Sequence, residues 1–349
     1  PTVHVGETVA EQGMETQPFE GLRYVSEPVV TVAVAPAEVR ELPLFDKVIR
    51  KLTLEDPNLR FIFNKESGEY LLSGMGELHL EITAYRMQEA GLRVKISKPI
   101  VIYRETISHD YSGPSIMGKS PNKHNRLWVT LEKLPEEVVE AIRQGRISEM
   151  IGREEKRRIL SKEFGWETDD ARNVAAIEET NILVNRIKGK QFVEEVMDHI
   201  KSGFREAVHT CILAEEPARG LKVNIEDIQV HEDPVHRGPA QILPMTWRPI
   251  WCCFLLSDPK LLEPIISFEC KVPNEFVSPV LTTVQKRRGR ILEMPTEEDM
   301  VIIKAEIPVA ESFGLADELR SSTQGRAFWA TQFSHWAMVP ESMQATVIE

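Results

Sequence analysis

His231, Glu232, Asp233, His236 and Arg237 fall within one short run, Val230 to Gln241, and their side chains offer three kinds of chemistry. An imidazole beside a carboxylate can move protons, paired imidazoles can bind a metal, and imidazole with guanidinium can donate hydrogen bonds to phosphate oxygens and base edges. Pro234, Gly238 and Pro239 stiffen or bend the backbone around them, so His236 and Arg237 are expected to be presented outward rather than packed inward. The run follows an alternating segment, Leu221, Val223 and Ile225 with Lys222, Asn224 and Glu226 between, which reads as a half-buried strand carrying a projecting polar loop.

Two motifs mislead if taken literally. Gly113 to Ser120 matches GxxxxGK[ST], the phosphate-cradling loop. That loop needs a buried strand before it and a helix beginning at the Lys-Ser pair, whose amides hold the phosphates. Here Ser108 to Ser112 is polar, Pro121 follows at once, and Asn122 to Arg126 leads into an alternating strand. No apolar strand ending in Asp offers a magnesium partner, and no Asn-Lys-x-Asp run offers guanine recognition. His231 and Glu232 suggest HExxH zinc chemistry, which needs histidines at i and i+4 on a helix; these are at i and i+5 with Pro234 between. No catalytic residue and no metal site is therefore assigned, although acid-base work by His236 and Asp233 stays open on the residues alone.

What remains is recognition. Lys119, Ser120, Pro121, Asn122, Lys123, His124, Asn125 and Arg126 form a basic loop, and Gly113 to Leu127 contains no acid. Together with His231, Asp233, His236, Arg237 and Gly238, this loop is expected to make an RNA-facing tip, with both loops projecting from strand ends. A second basic knot, Lys286, Arg287, Arg288 and Arg290, reads equally as a solvated helix end, where cations suit the dipole, or as an RNA contact.

The elements that must position these loops come in a repeated order. Val29 to Val34 is a β-branched run ended by Pro36, and a helical pattern covers Glu38 to Leu54. Leu59 to Phe63 and Glu69 to Leu72 form a hairpin around Glu66 to Gly68, a helix over Glu77 to Ala90 stops at Gly91, and Leu92 to Ile96 closes the unit. The same order recurs as Pro264 to Val272, a helix over Glu275 to Arg287, strands Arg290 to Met294 and Met300 to Pro308, a helix over Leu315 to Ser321, and the strand Ala327 to Trp336. Such a β-α-β-β-α-β unit is the split, ferredoxin-like arrangement. The expected fold class is α+β and multidomain, with two ferredoxin-like domains flanking a different middle. In that middle, Ile102 to Ile107 and Leu127 to Leu131 read as strands and a highly charged helical region follows. Phe192, Val196, Ile200, Phe204 and Val208 then mark the buried stripe of a helix.

With 349 residues the chain exceeds one ordinary core, and 42% hydrophobic with 28% charged residues is usual for a globular protein. No apolar run nears the roughly 20 residues that cross a membrane and no signal segment is recognisable, so a cytoplasmic location is expected. A net charge of -12 argues against nucleic-acid binding by the whole surface and leaves only local patches for it. Cys211, Cys252, Cys253 and Cys270 contain no CxxC pair and are expected to be buried free thiols. The chain opens at Pro1 on Thr2 to Ala10, which reads like the last strands of something upstream, so an excised fragment is expected.

Tyr24 to Val30, Leu71 to Glu81, Gly118 to Arg126, His231 to Gln241 and Glu311 to Gly314 together resemble the elongation factor 2 family of ribosomal translocases, in its archaeal branch. The likeness spans nearly the whole chain, and its third and fourth stretches are highly specific. It implies that 1–25 is the tail of β-barrel domain II and 26–101 a ferredoxin-like domain III. It implies a domain IV over 102–262, resembling ribosomal protein S5 and mimicking tRNA, with 338–349 packing back on it, and a ferredoxin-like domain V over 263–337.

In the family the basic loop and the His236 loop form the tip of domain IV that enters the decoding centre. The resemblance implies that His236 is converted to diphthamide, a bulky cationic modification, and is the target of diphtheria-type ADP-ribosylating toxins. The implied partners are the ribosome, through ribosomal RNA, tRNA and messenger RNA, the diphthamide-synthesis enzymes and those toxins; no membrane partner is implied, and a monomer is expected. GTP and magnesium would belong to a GTPase domain outside these residues, so neither cofactor nor GTP hydrolysis is expected here. Lys286, Arg287, Arg288 and Arg290 become candidates for large-subunit RNA. Trp247 to Cys253 departs from the family in its bulky aromatics and Pro249, and the basic C-terminal helix end of the family is missing at Glu349. A relative used in ribosome maturation or splicing would share this architecture, and a stand-alone NTPase or metal hydrolase is the remaining alternative.

Overall fold

The computed structural model of the chain describes residues 10–11, 28–64, 69–297 and 299–348. The expected barrel tail lies outside the described residues apart from 10–11, as does the turn at Glu66 to Gly68. The chain divides into two compact units: Pro1–Ile102 with Glu263–Ala337, and Tyr103–Leu262 with Met338–Glu349.

The first unit begins with β1 (Val30–Pro36), α1 (Leu42–Glu55), β2 (Arg60–Asn64), β3 (Glu69–Gly74), α2 (Glu77–Glu89), β4 (Val94–Ile96) and β5 (Ile100–Val101). The strands make an antiparallel sheet of order β2-β3-β1-β4, with β5 also pairing β1. β1 is rich in valine and alternates, so Val30, Val32 and Val34 are buried, and α1 adds Phe45, Ile49 and Leu52 to the core. Pro43 is tolerated in the first turn of α1, where its missing N–H leaves no helical bond unmade. α2 has no side-chain cap at Gly76; instead His79 accepts the Met75 amide at Nδ1 (3.1 Å), which leaves Nε2 to donate to Asp56 (2.9 Å).

The second unit carries β6 (Arg104–Ile107), β7 (Ile116–Lys119), β8 (Arg126–Lys133), α3 (Glu136–Arg143), α4 (Arg153–Lys162), α5 (Thr168–Arg172), β9 (Val174–Glu178), β10 (Asn181–Asn185), α6 (Val193–His209), β11 (Leu221–Gln229) and α7 (Pro239–Leu255). One sheet runs β7-β8-β11-β10-β9, antiparallel except between β10 and β11. The stretch read as charged and helical thus also holds the β9–β10 hairpin, whose Ala176, Ile182, Leu183 and Val184 are buried. α6 presents the predicted stripe: Val196, Ile200, Phe204 and Val208 share a core with Ile242, Met245, Ile250 and Phe254 of α7 and with Leu127, Val129, Val223 and Ile225 of the sheet.

The opposite face corrects the expectation of a half-buried β11, because Lys222 and Asn224 are only 8% and 0% exposed. A second apolar cluster that includes Val138, Ile142, Leu160, Ile182 and Val184 lies on that side. Lys222 Nζ lies 2.8 Å from both Glu132 and Asp170, and Arg186 bonds Asp170, Glu132 and Glu226. The polar alternation therefore marks a charge-compensated interior network rather than a solvated face. Burial pushes the Asp170 carboxyl up, but hydrogen bonds from Arg186 and Lys222 outweigh it and hold the group down at about 2.

β12 (Pro259–Pro273) follows, its first residues pairing β6, and then α8 (Val277–Lys286), β13 (Arg290–Glu293), β14 (Thr296–Glu297), β15 (Met300–Pro308), α9 (Leu315–Ser322) and β16 (Phe328–Met338). Their sheet runs β13-β15-β12-β16, which repeats the strand order of the N-terminal sheet. α10 (Glu341–Ile348) ends the description; Val339 N donates to Leu261 O (2.9 Å) and Lys260 bonds Glu341 (3.0 Å). Cys211, Cys253 and Cys270 are buried, but Cys252 is exposed, contrary to expectation, because Cys253 takes the core side of α7. No described helix is long and apolar enough to cross a membrane.

Candidate nucleic-acid interface

β8 and β11 are antiparallel neighbours whose register pairs Arg126 with Gln229. The start of one strand therefore lies beside the end of the other, and the loops 120–125 and 230–238 emerge together. Arg126 Nη1 reaches Gln229 Oε1 across the pair at 3.1 Å.

The first loop is a tight turn between β7 and β8. Ser120 N donates to Asn125 O (3.0 Å), Asn125 N to Ser120 Oγ (2.9 Å) and Lys123 N to Ser120 O (2.8 Å). Closing it puts Lys123 at φ +67, in the left-handed region that a β-carbon disfavours. In the second loop Asp233 Oδ1 accepts Val235 N (3.0 Å) and caps a 3-10 turn at Pro234–His236. Gly238 then precedes α7, and Pro239 opens it.

The loops are joined through one carbonyl. Asn122 Nδ2 and Asn125 Nδ2 donate to His236 O at 2.7 and 2.8 Å, and His231 N donates to Asn125 Oδ1 at 2.9 Å. Asn122 N also donates to Gln241 Oε1 at 2.8 Å. Above this join three imidazoles meet: ring centroids are 4.7 Å apart for His231 and His236, 4.8 Å for His124 and His236, and 5.0 Å for His124 and His231.

The predicted residues divide by exposure. Lys119, Pro121, Lys123, His124 and Asp233 are exposed, and Asn122, Arg126, His231, His236 and Gly238 are half-buried. Ser120 and Asn125 are buried, so they build the turn and are not available to touch RNA, which corrects the expectation for both. Arg237 is a second correction. It is 6% exposed, its guanidinium lies 4.5 Å from the Phe192 ring, and it pairs with Glu195 and donates to His231 O (3.2 Å). It points inward and anchors the loop to the start of α6. Glu195 and Phe192 had no local signal for this role, whereas Gln241 stood in the same run as His236. Val235, also unassigned from sequence, is 82% exposed.

The phosphate-loop motif does not have the strand-to-helix context it needs. Gly118 and Lys119 end a strand and lead into a hairpin turn rather than a helix. Gly118 is needed for packing: a β-carbon there would lie 2.1 Å from Met245 O and 2.6 Å from the Pro249 ring. Pro249 sits inside α7 and leaves the Met245 carbonyl without its helical donor, so the unusual Trp247 to Cys253 segment is accommodated by a glycine on β7. The Asp233 carboxylate caps its own turn, and the His236 ring hydrogen-bonds no described residue, so no acid-base pair is set up between them. Among the described residues no group of three or more His, Cys, Asp or Glu side chains could hold a metal ion.

The second basic knot is largely neutralised from within. Arg287 pairs with Glu318 (2.8 Å), Arg288 with Glu263 (2.8 Å) and Glu311 (2.9 Å), and Arg290 with Glu306 (2.6 Å), while Lys286 is exposed. Arg287 and Arg288 thereby brace the first unit, while the Arg290 side chain stays exposed.

Three stretches of the chain match known protein families. Residues 25–98 match Elongation Factor G, domain III; 143–258 match Elongation factor G, domain IV; and 260–347 match Elongation factor G C-terminus. Elongation factor 2 of Aeropyrum pernix is 47% identical over 350 residues, covering 99% of this chain and 47% of that protein. Elongation factor 2 of Sulfurisphaera tokodaii is 48% identical over 332 residues, covering 95% and 45%. Elongation factor 2 of Methanopyrus kandleri is 43% identical, covering 99% of this chain and 27% of that protein. The chain thus spans about half the length, or less, of the curated relatives it matches.

Proposed function

The chain belongs to the elongation factor 2 family, and from that membership we propose that its second unit is the arm with which a ribosomal translocase enters the decoding centre to advance tRNA and messenger RNA. One observation carries the reading: Asn122 and Asn125 of the basic loop both grip the His236 carbonyl, which makes two distant loops one composite tip. On this reading Lys119, Lys123 and Arg126 meet phosphates, while Ser120, Asn125 and Arg237 build the tip from within. His236 is the site of diphthamide and of toxin-directed ADP-ribosylation. Its ring has no hydrogen bond to a described residue that derivatisation would break, which suits that role.

The two β-α-β-β-α-β modules are taken as ferredoxin-like domains III (26–101) and V (263–337), supported by their shared strand order. Residues 102–262 with 338–349 are taken as the S5-like domain IV, supported by the division into units. GTP and magnesium chemistry is placed outside these residues, supported by the hairpin context of Gly118 and Lys119. The protein acts as a monomer on cytoplasmic ribosomes, and the relatives' shared name favours this over a maturation or splicing role.

The test tethers an iron chelate to Val235→Cys in a Cys252→Ser background and generates hydroxyl radicals with the protein on archaeal ribosomes. Cleavage of small-subunit RNA around the decoding centre supports the reading. Cleavage confined to other regions, or none above background, contradicts it.

A further inference from the structure

We propose that His124 and His231 are positioning residues for covalent modification of His236, an inference that rests on the reading of His236 given above. The backbone of His236 is pinned by the two asparagine amides at its carbonyl, so its ring has little freedom beyond its own side-chain torsions. Several other imidazoles are oriented by hydrogen bonds, His79 by Asp56 and the Met75 amide, His209 by Glu178, and His231 by the Asp233 amide at its Nδ1. The His236 ring has no such bond to a described residue. Its orientation is set by the two rings that touch it, His231 at 82° and His124 at 43° to its plane. His231 belongs to the same loop and is fixed through Asn125; His124 comes from the other loop and follows the left-handed Lys123.

Among the described residues this arrangement leaves both nitrogens of the ring without a hydrogen-bond partner while its plane is held. Substitution on the ring forms a bond from a ring atom to the electrophilic carbon of an activated alkyl donor. The donor's bond to its leaving group breaks, with the electron pair remaining on that group, and one ring proton passes to a base. Such a displacement is sensitive to alignment, and misplacement by about 1 Å can cost up to about a hundredfold in rate. A ring fixed by packing alone meets that demand without a hydrogen bond that the product would have to break.

The full chain is produced in an archaeal host that modifies this histidine in its own proteins, and the peptide containing His236 is weighed. The unaltered chain carries the mass increment. His124→Ala lowers the rate of its appearance by about tenfold, and His124→Phe, which restores a ring without its nitrogens, recovers most of it; His231→Phe behaves like the unaltered chain. Unmodified protein is then treated with diethyl pyrocarbonate, where a ring nitrogen bonds the carbonyl carbon and ethyl carbonate leaves. This small electrophile needs access rather than alignment, so His124→Ala reacts at His236 at least as fast as the unaltered chain. Equal enzymatic modification of His124→Ala and the unaltered chain overturns the proposal. So does a failure of His124→Phe to recover, or loss accompanied by faster acylation of His79 and His209, which would mark unfolding. Absence of any increment on the unaltered chain instead contradicts the reading of His236 itself, and the proposal falls with it.

Discussion

Asn125, fully buried in the β7–β8 turn, donates its carboxamide N–H to the backbone carbonyl of His236 at 2.8 Å while its Oδ1 accepts the amide of His231 at 2.9 Å. One side chain therefore serves both ends of the facing loop. Asn125→Ala leaves the His231 amide without its partner and the His236 carbonyl with Asn122 alone, and is expected to cost about 2 kcal/mol, seen as a lower midpoint in urea. Amide exchange at His231 should accelerate while that of β6 does not. Asn125→Asp should cost more, because both its carboxylate oxygens are acceptors and one must face the His236 carbonyl. Equal stability of Asn125→Ala and the unaltered chain would show that the loops are held by something else.

Arg237 and Glu195 form an unequal pair, the arginine side chain 6% exposed and the glutamate 55%. Removing the glutamate strands a buried cation, whereas removing the arginine strands only a solvated anion. Glu195→Ala is therefore expected to destabilise by about 2 kcal/mol and Arg237→Met by about 1 kcal/mol. Denaturation curves that rank the two variants the other way would contradict the claim that Glu195 compensates a buried cation.

Asp170 is held at about 2, below its ordinary 3.8, in the network with Lys222 and Arg186. A depressed folded-state value means that the ionised group contributes stability above pH about 4, and that this contribution is lost as pH falls through about 2. The shift corresponds to about 2 kcal/mol. Asp170→Asn should lower stability at neutral pH and flatten the acid limb of the stability profile between those values. A variant with an unchanged acid limb would remove Asp170 as its cause.

Local pattern carried much of the architecture. The four-residue recurrence from Phe192 to Val208 identified α6, and the alternation in β1 and β8 identified strands, because each depends on neighbours along the chain. The failures share a cause. Lys222 and Asn224 read as solvent-facing because polar alternation ordinarily is, yet their compensating charges Glu132 and Asp170 lie 90 and 52 residues from Lys222. Arg237 reads as displayed because prolines and a glycine surround it, but its partner Glu195 is 42 residues away. The β9–β10 hairpin was obscured by charged helices on either side. At the tip, residue types identified the two loops, while the division between side chains that face outward and those that knit the loops together followed from the β8–β11 register.

The account stands on the two loops acting as one RNA-facing surface, and salt dependence tests this most directly. Binding of the chain to archaeal ribosomes is measured over a range of potassium concentrations for the unaltered protein and for Lys119→Gln, Lys123→Gln, Arg126→Gln combined. Each lost phosphate contact should reduce the log-log slope by about 0.7 to 0.9, so the triple variant should be shallower by roughly two to three. Lys286→Gln, outside the tip, should change the slope by less than one such contact, under about 0.7. A triple variant with the same slope as the unaltered chain would contradict an RNA-facing tip.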